Sequence, residues 1–182
     1  MNKLPLAELI EKLSPQHRVV VDRVLWEYSG TIWSIPGSTT KHQAWRGGYV
    51  SHLEETMNIA LMLFETFRSV RPFPFKESDA LFTLFLHDCD KLFAYSMTPE
   101  STTRTMNHKE AHKIFLKTLR NDWGYSLTDE ELNALKYIHG ENEDYHPTER
   151  VMKPLAAFIH CCDIMSARVW FDFGKSSTTW ET

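Results

Sequence analysis

The densest chemistry in the chain lies in Leu84-Phe85-Leu86-His87-Asp88-Cys89-Asp90-Lys91. An apolar run over residues 80–86 ends in a His-Asp pair. At helical spacing Leu81, Leu84, Phe85 and Asp88 share one face. A carboxylate is therefore carried on the stripe that should point into the core. Buried and unpaired, it costs several kcal/mol or takes up a proton. A bound cation compensates it most directly. The same pair also suits the wet end of a helix, and by itself it does not separate the two.

Three further signals join it. His52 stands near the start of a helical stretch, with Thr56, Ile59 and Leu63 on its stripe. Asp163 lies on a face with Leu155, Ile159, Cys162 and Ser166, a second carboxylate inside an apolar stripe. His108, His112, His139 and His160 are scattered at helix starts and ends. Aspartates and histidines on separate core-facing helices converge naturally on a divalent metal in a bundle interior. Mixed imidazole and carboxylate donors suit Zn, Mn, Fe, Co or Ni, and Ca prefers oxygen alone. Buried polar groups that satisfy one another are the alternative, which absorbs one such pair more easily than two carboxylates.

The elements that must position these residues are helical. Expected helices cover residues 4–13, 15–29, 49–68, 78–88, 108–121, 128–139 and 149–173, the last interrupted at Pro154. Ser14-Pro15 is a helix start, and Thr128-Asp129-Glu130-Glu131 has capping-box spacing. Residues 31–40 carry Pro and Gly breakers, 71–75 form a stiff Pro-rich link, 94–107 read as a polar loop, and 140–148 as an acidic turn. No alternating strand pattern of useful length occurs, so the expected fold class is all-α. A domain over residues 1–173 with a polar tail over 174–182 follows.

The bulk properties exclude several classes. The 182 residues suffice for one real core, and the net charge of −4 comes without a basic stripe. Stable nucleic-acid binding is therefore not expected. No apolar run is long enough to span a bilayer, and Met1-Asn2-Lys3-Leu4-Pro5 lacks an h-region. A cytoplasmic protein is expected. Cys89, Cys161 and Cys162 make no disulfide framework. The apolar and aromatic richness suggests a homo-oligomer.

The order His52, His87-Asp88, Asp163 resembles the H…HD…D signature of the HD-domain metal-dependent phosphohydrolases. Gly47-Gly48-Tyr49-Val50-Ser51-His52 resembles that family's lead into its first ligand helix. His87-Asp88-Cys89-Asp90-Lys91 resembles the HDxxK form of its central motif, and Asp163 with Ser166-Ala167-Arg168 its terminal helix. The likeness runs over residues 41–170. It implies an HD-type helical bundle in which His52, His87, Asp88 and Asp163 bind a divalent transition metal. Zn, Co or Mn come first, then Mg or Ni. Lys91 would face the substrate phosphate, with Lys41 and Arg46 as further cations. His112 and His139 fall where two-metal members carry extra histidines, and His108, one turn away, competes with His112.

Within the family, phage dATP triphosphohydrolases are similar in length. Their adenine pocket uses a Trp-x-Ile pair before the first His and a Pro after the HD pair, and a Trp on a breaker-rich segment can stack on a base. Trp33-Ser34-Ile35 and Pro99 stand at comparable places, although Lys91 stands where some nucleotidase relatives carry Glu. The expected activity is therefore hydrolysis of a deoxynucleotide by metal-activated water. dATP is favoured, with dADP and dAMP also considered, to deoxyadenosine and phosphate or triphosphate. A phage protein would act in the host cytoplasm. The alternatives are a 5′-nucleotidase for deoxynucleoside monophosphates, an HD-type 3′–5′ exonuclease and a non-catalytic nucleotide-binding module.

Overall fold

The computed structural model describes residues 3–39, 41–97 and 102–169. Pro99 and the tail over 174–182 lie outside them. The expected all-α class holds: α1 (Leu6–Ile10), α2 (Pro15–Glu27), α3 (Ser29–Ile32), α4 (Gly48–Arg68), α5 (Glu77–Leu86), α6 (Lys91–Ala94), α7 (His108–Asn121), α8 (Asp129–Tyr137) and α9 (Pro154–Arg168).

The centre of the bundle is α5. Every residue from Ala80 to Leu86 is buried, as expected of a helix apolar all round. It packs against α2, α4, α8 and α9. Leu81, Leu84 and Phe85 meet Leu53 and Met57 of α4 and Leu155 and Ile159 of α9 in one core cluster. Burial of each such side chain stabilises by about 1.5–3 kcal/mol. This packing fixes the end of α5, where His87 is the C-cap, against two neighbouring helices.

The start of α4 is set by two glycines. Gly47 has φ +82°, a left-handed conformation that glycine adopts without steric cost. A Cβ on Gly48 would lie 1.9 Å from the Gln43 carbonyl oxygen, so only glycine lets the preceding loop close onto the helix. The loop itself bends at Gln43, φ 40°.

Four boundaries differ from the sequence expectation. The helix expected over 4–13 shortens to α1, because Pro5 is extended at its N-cap. Thr31 and Ile32, expected in a non-helical segment, close α3. The last helix begins at Pro154 rather than 149, since the residue before a proline is pushed to extended backbone and Lys153 has ψ 167°. The expected loop over 94–107 contains an antiparallel hairpin, β1 (Tyr95–Met97) with β2 (Thr102–Arg104), in which Tyr95 pairs with Arg104. Three residues per strand are too few for period-2 alternation to declare itself.

Candidate metal centre

Three elements deliver the donors. His52 comes from α4, His87 from the end of α5 with Asp88 in the turn that follows, and Asp163 from α9. Their relative exposures are 0, 3, 5 and 7 %. His52 Nε2 lies 3.3 Å from His87 Nε2 and 3.1 Å from Asp163 Oδ1. His87 Nε2 lies 3.7 Å from Asp163 Oδ1 and 3.4 Å from Asp88 Oδ2. His52 Nε2 to Asp88 Oδ2 is 3.8 Å. Ligands about 2.1 Å from a common ion sit roughly 3.0–3.4 Å apart at octahedral or tetrahedral angles. The donor spacing therefore fits one ion, and His52, His87 and Asp163 form a buried cluster that could hold it.

The hydrogen bonds behind the rings decide the tautomers. His87 Nδ1 is 2.5 Å from the Leu84 carbonyl, which only accepts, so Nδ1 carries a proton. His52 Nδ1 is 3.0 Å from Ser166 Oγ. The single proton of Ser166 goes to Glu55 Oε2 at 2.7 Å, so His52 Nδ1 must donate as well. Gln43 Nε2 donates to the same Glu55 oxygen. Both Nε2 atoms thus face each other with lone pairs and no assigned proton. Their repulsion is relieved only by positive charge between them, from an extra proton or a metal ion. Outer carboxylates that orient ligating histidines are usual at metal sites.

The carboxylates are held ready as anions. Burial pushes Asp163 up, but hydrogen bonding from His139 and His52 overrides it and holds the group well below the usual range. The His52 contribution needs the extra proton, and a metal in the same space would replace it. Burial likewise raises Asp88, and Lys91, then His87 and His52, more than offset it. Burial lowers His87 despite the two aspartates.

Above the donors opens a cavity of about 570 Å³, bordered by Asp88 and Asp163. Lys41, Lys91, Arg104 and Arg168 supply four fixed positive charges to its wall, against the two aspartates. His42, His108, His139 and His160 also line it. The cavity thus suits an anionic ligand held over a metal.

The expected site residues divide accordingly. Lys91 lines the cavity, where its Nζ donates to Asp88 Oδ2 at 2.5 Å and to the Gly37 carbonyl. Lys41 and His139 line it too, His139 Nδ1 lying 3.4 Å from Asp163 Oδ2. Arg46, Trp33, Ile35 and His112 are not among the described lining residues. Trp33 is 53 % exposed on the outer surface, and Ile35 is fully buried in the apolar core. Of the two competing histidines, His108 faces the cavity and His112 does not.

No protein-family model matches the chain, and no curated protein and no solved structure shows significant similarity to it. The centre stands on its own geometry.

Sequence reasoning missed Glu55, Gln43 and His42. Glu55 had a usable signal: a carboxylate three residues from His52 on an apolar helix, 2 % exposed. His42 and Gln43 sit in a loop with no periodicity to betray them. His42 tilts against His52 with ring centroids 4.8 Å apart, and burial first, then His52 and Lys91, push it down to about 4.

Proposed function

We propose that the chain is a metal-dependent nucleotide phosphohydrolase. The observation that carries this reading is the pair of Nε2 atoms of His52 and His87, 3.3 Å apart on rings whose Nδ1 atoms already donate, within ligand spacing of a carboxylate and beneath a cavity lined by four cations. Buried lone pairs so placed are costly unless a cation is used there. A cationic wall over such a centre suits the oxygens of a phosphate or polyphosphate.

His52, His87 and Asp163 would hold the ion, with Asp88 as the fourth ligand. A bound divalent ion supplies an acidic water and a Lewis acid for the phosphoryl oxygen. The chain supplies the rest. Ser166 and Glu55 fix the His52 ring, and the Leu84 carbonyl fixes His87. Lys91 lies beside Asp88, able to turn from that carboxylate to a phosphate oxygen. Lys41, Arg104 and Arg168 offset the remaining charge. The apolar floor of α5 excludes bulk water from behind the donors.

A deoxynucleotide is the proposed substrate, with dATP put first by the sequence resemblance. Trp33 and Ile35 lie off the cavity, so the base selectivity attached to them stays tied to that resemblance. The test is a screen of the deoxy- and ribonucleotides with Mn, Co, Zn or Mg added in turn and the products identified. Turnover of a nucleotide that EDTA abolishes and metal restores is expected. Absence of turnover with every metal and nucleotide would remove the reading.

A further inference from the structure

A second carboxylate–imidazole pair stands at the cavity wall, and the metal centre does not use it. Asp90 is 1 % exposed. It sits at the N-cap of α6, yet its side chain makes no capping hydrogen bond. Oδ2 accepts from His108 Nδ1 at 2.6 Å. Oδ1 has no partner among the described residues. A buried carboxylate with one of its oxygens unmatched is expensive for stability alone. Its one hydrogen bond goes to a histidine whose side chain is 51 % exposed and lines the cavity.

We propose that His108 is the general acid that protonates the leaving oxygen, with Asp90 as its positioning residue. The inference rests on the hydrolase reading. A carboxylate only accepts, so His108 Nδ1 must carry a proton, and Nε2 is left for the cavity. The Asp90 hydrogen bond raises His108 above its ordinary range, against burial, and Asp88 adds to the rise while His139 opposes it. His112, on the same helix, has its ring centroid 5.8 Å away. The imidazolium is thereby favoured, and Nε2 carries a transferable proton.

The chemistry needs such a group. Release of a nucleoside expels its 5′ oxygen, a poor leaving group without a proton. The water oxygen forms a bond to phosphorus, and the bridging P–O bond breaks with its electron pair on oxygen. The Nε2 proton of His108 passes to that oxygen. The proton lost by the water goes to solvent, from which His108 recovers its own. Other groups on the wall are committed elsewhere. Lys91, beside Asp88, serves a phosphate oxygen in this reading, and His160 Nδ1 donates to the neutral Ile138 carbonyl, where His108 has a carboxylate to favour its imidazolium. His42 is neutral near pH 7. His139 rests on Asp163, whose charge the metal would draw on.

The test compares the full-length wild type with His108→Gln, Asp90→Asn and His139→Gln, using the nucleotide and metal found in the screen. His108→Gln should lower kcat by roughly 10²–10⁴-fold, keep metal stoichiometry and nucleotide Kd, and abolish the alkaline fall of the kcat–pH profile. Asp90→Asn should move that fall to lower pH. In metal-free protein, NMR should show the His108 ring titrating above the ordinary histidine range, and Asp90→Asn should bring it down. Loss of kcat within roughly threefold in His108→Gln, a retained alkaline fall, or its disappearance in His139→Gln instead would each overturn the assignment. A wild type that turns over no nucleotide removes the hydrolase reading itself, and the acid role with it.

Discussion

His52 Nε2 and His87 Nε2 lie 3.3 Å apart, each on a ring whose other nitrogen already donates a hydrogen bond. In the metal-free protein a proton must relieve this contact, and a metal must displace it. Metal binding therefore releases a proton, and affinity falls as pH drops. We expect Zn²⁺ or Co²⁺ to bind about tenfold more weakly per pH unit for each proton displaced. Calorimetric titration at pH 7.5 and 5.5, in buffers of different ionisation enthalpy, measures this. A pH-independent affinity would contradict the geometry.

Ser166 joins His52 to Glu55. Ser166→Ala should leave the donors in place yet lower metal affinity roughly 10–100-fold, the usual effect of losing an orienting partner. Glu55→Gln should act in the same direction. Unchanged affinity in both would show that the relay does not hold the ring.

Lys91 neutralises Asp88 in a largely buried pair, with 19 and 7 % side-chain exposure. Lys91→Met should destabilise the metal-free protein by about 3–5 kcal/mol, because it strands a buried carboxylate. Lys91→Met combined with Asp88→Asn should recover a substantial part of that. Denaturant unfolding of both singles and the double completes the cycle. Additive losses would mean the two groups do not interact.

His42 gives a pH signature. Its ordinary value near 6.5 falls to about 4 in the fold. Between those limits the unfolded chain holds a proton that the folded protein refuses, so stability falls as pH is lowered through the window. His42→Asn should flatten this slope in metal-free protein, read as Tm between pH 7 and 4. The wild-type slope persisting in the variant would assign the effect elsewhere.

Much of this is legible in the sequence. The stripe Leu155, Ile159, Cys162, Asp163, Ser166 is buried as its spacing requires, and the four proposed ligands do converge. Helical periodicity carries that information, because it states which side chains share a face. It says nothing about loops. Trp33 reads as a stacking platform in sequence yet lies on the outer surface, since α3 continues through Ile32 and turns it outward. The hairpin that brings Tyr95 and Arg104 to the cavity is too short to show a period. The Asp90–His108 contact spans 18 positions and depends on how the turn after α5 meets α7, which pattern does not encode.

The most direct measurement is equilibrium titration of the metal-free protein with Mn²⁺, Co²⁺ and Zn²⁺. It is made on the wild type, His52→Ala, His87→Ala and Asp163→Asn, with circular dichroism to verify helix content. The account predicts at least one high-affinity equivalent in the wild type. A hundredfold excess of metal over Kd should then stabilise it by about 2.7 kcal/mol. That equivalent should disappear in each variant while the helices remain. A wild type that binds none of these ions, or variants that bind them as tightly as the wild type, would contradict the account.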